Sequence, residues 1–133
     1  MEKSITYLKK QRRSSVQILY KLSILNEDID KIKQEVLDNS QFDKLDDDLI
    51  NYILKILDQY ETIKQSILKL IPNNWSWERL PNIIKAILSV SAFEIINNIN
   101  PKAVVINEAI EMVREFLPSW DTNFINGLLD KIN

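Results

Sequence analysis

Glu108 and Glu111 stand three residues apart in the segment KAVVINEAIEMVREF, a spacing that puts both carboxylates on one face of a helix. Asp43 would join Asp46 and Asp47 in the same way if that segment were helical. Paired carboxylates can do general acid–base work only where an apolar surrounding separates their pKa values, and none is evident around either set. On a helix surface such pairs are most often solvated charge. The chain has no histidine and no cysteine, so it has no imidazole base, no thiolate nucleophile or ligand, and no disulfide. Its single glycine cannot build a GxxxxGKS/T or GxGxxG loop, which need several positions free of a Cβ around the phosphates. Only carboxylate or lysine chemistry remains, and neither is arranged for catalysis. No enzyme activity, metal or cofactor is expected.

The cations are arranged more pointedly. Residues 1–21 hold Lys3, Lys9, Lys10, Arg12, Arg13 and Lys21 against Glu2 alone, a formal +5, so that a whole-chain charge of −2 leaves −7 for the remainder. On a helix, Lys9 and Arg13 stack at i and i+4 with Lys10 and Arg12 on either flank, and like charges at that spacing repel. The helix macrodipole also prefers anions, not cations, near an N-terminus. A polyanion such as RNA would relieve the conflict. So would a solvated basic face, pairing with the acidic 43–48 stretch of the same chain. The residue types alone leave both open.

Helices must position these groups. Ile5, Leu8, Ser15, Leu19 and Leu22 recur at three and four residues, which predicts a first helix over about 5–25 with Arg12 on the same stripe. A second helix begins near Glu27 or Asp28 behind a possible Asn26 cap. After the polar 40–48 break, the spacing from Leu49 to Ile71 predicts a long helix ended by Pro72. NNWSWERLP is a connector or single turn, and Pro81 can open the next helix, whose residues from Ile83 to Ile95 are apolar on most faces and mark the central element. Asn100 is a candidate cap for a helix over 101–117, and Asp121 or Thr122 for a last helix carrying Phe124, Ile125, Leu128 and Leu129. No strand alternation appears. The expected fold is all-α, a bundle of six or seven helices.

Two residues in this last third are not helix chemistry. Asn107 falls on an otherwise apolar stripe, where an amide is expected to find hydrogen-bond partners and, with Glu108, to organise the fold. Gly127 lies inside a helix, where it costs up to about 1 kcal/mol relative to alanine, so Asn126-Gly127 suggests close helix approach or a bend. Trp75, Trp77 and Trp120 fall in connectors and either lid the core or form a contact patch.

At 133 residues and 45% hydrophobic, the chain suits one soluble domain over 1–133 that buries roughly two-thirds of its unfolded surface. Its start, MEKSITYLKKQRRSS, has no signal-peptide apolar run, and no later run approaches the ~18 residues of a membrane span. A cytoplasmic location is expected, with no membrane partner.

The run KKQRRSSVQILY (9–20), Ile87-Leu88 with Phe93-Glu94, then Pro101, VVINEAIE (104–111) and FINGLLD (124–130) resemble, in order and spacing, the signature of the NusB family of transcription antitermination factors. That signature has the form RRxAR with a following LY pair, LRxAxYE, a proline, VxINEAxE and F(V/I)NGxLD. The likeness is good over 82–132 and moderate over 8–22, and 26–80 adds little beyond helical character. Ser89 and Asn123 stand where the family usually has cations, and Ser15 and Ser91 replace small apolar residues.

The resemblance implies two three-helix sub-bundles and an adaptor that makes or breaks no bond. It implies binding of single-stranded boxA-type RNA in ribosomal RNA leader transcripts, with the ribosomal protein NusE as partner and the RNA polymerase antitermination complex as destination, the protein being a monomer or homodimer. Lys9, Lys10, Arg12 and Arg13 would contact the RNA, Phe124 and Asn126 would add stacking and hydrogen bonding, and Tyr20 and Glu94 would belong to the partner surface. Phe124 reads equally well as core, and Tyr20 and Glu94 as packing residues. The alternative function is a NusB-like protein-interaction module with little RNA binding of its own, which the two missing cations favour.

Overall fold

The computed structural model describes residues 4–25, 28–38 and 46–133, and these form six α-helices with one 3-10 turn. The helices are α1 (Ile5–Leu25), α2 (Ile29–Leu37), α3 (Asp47–Leu68), α4 (Asn82–Ile96), α5 (Lys102–Phe116) and α6 (Thr122–Asp130), with the turn at Trp77–Arg79 between α3 and α4. Among the described residues there is no strand, and the all-α expectation holds.

α2 packs on α3 and α6 on α5, giving an N-terminal trio α1–α3 and a C-terminal trio α4–α6. α4 joins them, lying against α1, α3, α5 and α6. This placement follows from its sequence: every residue from Ala86 to Ile95 is buried, so it has no solvent face to present. The expectation of a central helix over 83–95 is met. Among the described residues, no helix is long and apolar enough to cross a membrane.

Helix ends differ from the reading in instructive ways. Asp28 caps α2 by accepting from Asp30 N, while Asn26 and Glu27 lie outside the described residues. α3 opens behind Asp46, whose carboxylate accepts from Leu49 N at 2.8 Å; Asp43 lies outside the described residues. The helix closes at Leu68 with Lys69 as its cap, short of Ile71, the residue that Pro72 keeps out of the helical region. Pro81 and Pro101 sit one position before α4 and α5, in extended backbone. Asn100, expected as a cap, turns away from α5 altogether. At α6 Asp121 is the cap, accepting from Asn123 N at 2.9 Å, and Thr122 is the first helical residue.

The end of α4 is a Schellman motif. Asn98 takes φ 53°, Ile99 N donates to Glu94 O at 3.0 Å and Asn98 N to Ile95 O at 3.1 Å. Glycine usually fills this left-handed position; here asparagine does, the L residue that best tolerates it.

Candidate nucleic-acid interface

The stripe that buries α1 carries Arg12 inward with Ser15, Leu19 and Leu22. Arg12 is 4% exposed and Glu94 on α4 is 1% exposed. Arg12 Nε donates to Glu94 Oε2 at 2.9 Å and Nη2 to Oε1 at 3.1 Å, a two-pronged pair that satisfies both charges. Tyr52 OH donates to Oε2 at 2.5 Å from α3, and Asn100 Nδ2 to Oε1 at 2.8 Å, brought there by the Schellman turn. Burial, then the adjacent Glu94 charge, push the Tyr52 phenol well above its usual pKa, and its ring meets Phe93 edge-on at 5.4 Å. One carboxylate therefore ties α1, α3, α4 and the α4–α5 turn together. Neither Arg12 nor Glu94 reaches the surface, so a polyanion or partner meets them only through what they position.

The neighbouring cations face outward and sideways. Lys9 Nζ donates to Glu108 at 3.0 and 3.1 Å and to Glu111 at 3.0 Å, and Arg13 forks onto Glu115 Oε2 at 2.9 and 2.8 Å. Glu108 also lies 4.0 Å from Arg12. The Glu111 hydrogen bond, then that of Glu108, raise the Lys9 pKa, and the Lys9 hydrogen bond holds Glu111 below its usual range. The crowding that the sequence implied is thus relieved by carboxylates of α5; residues 43–45 of the acidic stretch lie outside the described residues, and Asp46 serves as the α3 cap. The Glu108 and Glu111 pair is accordingly an ion-pair ladder for α1. Lys10 is exposed and carries no ion pair among the described residues.

α5 stands between these cations and α6. On its other side Ala103, Ile106, Asn107 and Ile110 line a groove with Asn126. Lys102 closes one end, donating to Asp130 O at the end of α6 at 2.9 Å. Asn107 is exposed and makes no hydrogen bond among the described residues, so it does not organise the fold as expected; the partner-seeking amide points to solvent. Gly127 is exposed too, and a Cβ built on it meets nothing within 4 Å. Close helix approach therefore does not account for it.

Phe124, at the start of α6, is half-buried, so core and surface readings each describe part of its ring. It joins Trp75 and Trp120 in a trio with centroids 5.6, 6.1 and 5.9 Å apart. Turns deliver the tryptophans: Trp75 N donates to Pro72 O at 2.9 Å and Trp120 N to Leu117 O at 3.0 Å. Trp77 is different, buried with the ammoniums of Lys64 and Lys85 5.7 and 5.8 Å from its ring. Tyr20 is 39% exposed and lines an apolar groove with Val16, Pro81, Ile83, Phe116 and Leu117. Ser89, where the resemblance expects arginine, is buried with its hydroxyl on Lys85 O at 2.8 Å, and Asn123 is exposed.

The sequence model of the NusB family matches residues 9–133. The chain belongs to the NusB family. The transcription antitermination protein NusB of Staphylococcus epidermidis is 31% identical over 127 residues, covering 94% of this chain and 97% of that protein. The protein of the same name from Aliarcobacter butzleri is 33% identical over 125 residues, covering 91% and 92%. That of Lactococcus lactis is 38% identical over 74 residues, covering 56% of this chain and 38% of its own length. Within this NusB-family chain, Tyr52 and Asn100 complete the Glu94 site, and neither carried a sequence signal for that role beyond the position of Asn100 beside Pro101.

Proposed function

We propose that this NusB-family chain is an RNA-binding transcription antitermination factor that holds single-stranded boxA-type RNA of ribosomal RNA leaders, acts in the cytoplasm with NusE, and delivers the RNA to the RNA polymerase antitermination complex. It is an adaptor without catalysis of its own. The observation that carries this reading is an outward cationic row on α1, Lys9, Lys10 and Arg13, with the half-buried Phe124 and the exposed Asn126 of α6 on the far side of α5, in a chain matched by the NusB family over 9–133. Cationic tracks hold phosphates and aromatic rings hold bases, and the Asn126 amide is the group that can read a base edge by hydrogen bonding. Arg12 contributes from beneath, by fixing α1 on α4 through Glu94. Tyr20, exposed over its apolar groove, is the contact offered to NusE, and Glu94, buried near the end of α4 away from that groove, acts by fixing α1 through Arg12.

RNA must compete with Glu108, Glu111 and Glu115 for Lys9 and Arg13. This favours a second reading, a protein-interaction module whose cations serve the fold. The two separate on a Lys10→Gln/Arg13→Gln variant assayed for RNA by anisotropy and for NusE by calorimetry. Loss of RNA with NusE retained is the expected result; RNA affinity unchanged in the variant removes α1 from the binding surface.

A further inference from the structure

We infer that Trp75, Arg79 and Trp120, none of them in a motif that carries the family resemblance, extend the Phe124 surface into a stacking platform for bases of a single-stranded RNA. The inference rests on the RNA reading above. Trp75, Trp120 and Phe124 each pack partly on the core, Trp120 with its Nε1 buried and without a hydrogen-bond partner among the described residues, and each leaves part of its surface open to solvent. Arg79 is exposed and lies 5.2 Å over the Trp75 ring, held by a hydrogen bond from Nη1 to Asn74 O at 3.2 Å. An exposed cation beside partly exposed aromatic rings is a combination by which single strands are held without sequence readout.

The platform lies within a short span of the α1 cations. Arg13 grips Glu115, and Trp120 follows five residues later, at most about 18 Å of extended backbone, a distance that a few nucleotides span. The missing cations at Ser89 and Asn123 are thereby offset by a cation that the family motifs do not supply, at Arg79.

Intrinsic tryptophan fluorescence, titrated with a boxA-type single-stranded RNA, tests this. Trp77 is buried, so quenching on RNA addition reports on Trp75 and Trp120. The expected result is quenching in the native chain, reduced to the Trp120 share in Trp75→Phe and Trp75→Leu, with RNA affinity lowered about tenfold in the latter. Arg79→Gln, at an exposed position, is expected to keep the fold and to lower the salt slope of binding by about 0.7. RNA bound equally by all variants, without quenching, overturns the platform and leaves the RNA reading standing. A native chain that binds no RNA with or without NusE overturns that reading and the platform together.

Discussion

Arg12 and Glu94, 82 residues apart in the chain, form a two-pronged ion pair at 2.9 and 3.1 Å in the interior, with Tyr52 and Asn100 filling the remaining acceptor sites of the carboxylate. Removing one partner strands a buried charge, which costs about 3–5 kcal/mol. Arg12→Met is therefore expected to lower stability to urea by that amount. The double variant Arg12→Met/Glu94→Gln should recover part of it, since a neutral amide oxygen still accepts from Tyr52 or Asn100. Equal loss in the single and double variants would show that the pair is not coupled.

Gly127 offers the opposite test. With open space where a Cβ would sit and a helical backbone, Gly127→Ala should stabilise the fold by about 0.5–1 kcal/mol, raising Tm by roughly 2–5 °C. A lower Tm would show that the glycine serves packing after all. Because folding does not require it, reduced RNA or NusE binding by the stabilised variant would place its function on the α6 surface.

The Lys9 ladder sets a pH window. The Glu111 pKa is depressed below the usual 4.5, so its contribution is present above that value and lost as pH falls through the lowered folded-state pKa. The Lys9 pKa is raised above 10.5, so its contribution is present below that value and lost as pH rises through the raised one. Carboxyl NMR titration should find Glu111 returning toward 4.5 in Lys9→Gln; an unchanged midpoint would exclude the contact in solution.

Tyr52 adds an alkaline limit. Its phenol is raised well above 10, so the stability it contributes is present below pH 10 and lost as the pH climbs toward the folded-state value. Ultraviolet titration should find Tyr52 titrating late, alongside Tyr7, pushed up to about 12, and Tyr60, which burial raises, and Tyr52→Phe should remove one tyrosine from that late group.

Much of this was legible in residue types and spacing, and the exceptions share a cause. The α1 stripe placed Arg12 among Ser15, Leu19 and Leu22, yet Arg12 was expected to contact RNA and is instead buried, while α4 announced its central place by being apolar on most faces. Which acid would meet Arg12 was not legible, because the pair closes across α1 and α4. Asn100 looked like a cap because it precedes proline, yet the left-handed turn at Asn98 aims it at Glu94 instead. Asn107 looked buried because its neighbours are apolar; Ala103 and Val104 are in fact exposed with it, so the apolar stripe is wider than the buried face. Charge crowding on α1 pointed outward to a polyanion, and three α5 glutamates answer it from within the chain.

The adaptor account stands or falls on whether the α1 and α6 surfaces hold RNA. The direct measurement is fluorescence anisotropy of a labelled boxA-type RNA titrated with the native protein, with and without NusE, at low and near-physiological salt. The account predicts binding that NusE strengthens, that salt weakens by about 0.7 in logarithmic slope per phosphate contact, and that a scrambled RNA does not reproduce. NusE joining the protein while the RNA stays free at both salts would contradict it and leave a protein-interaction module.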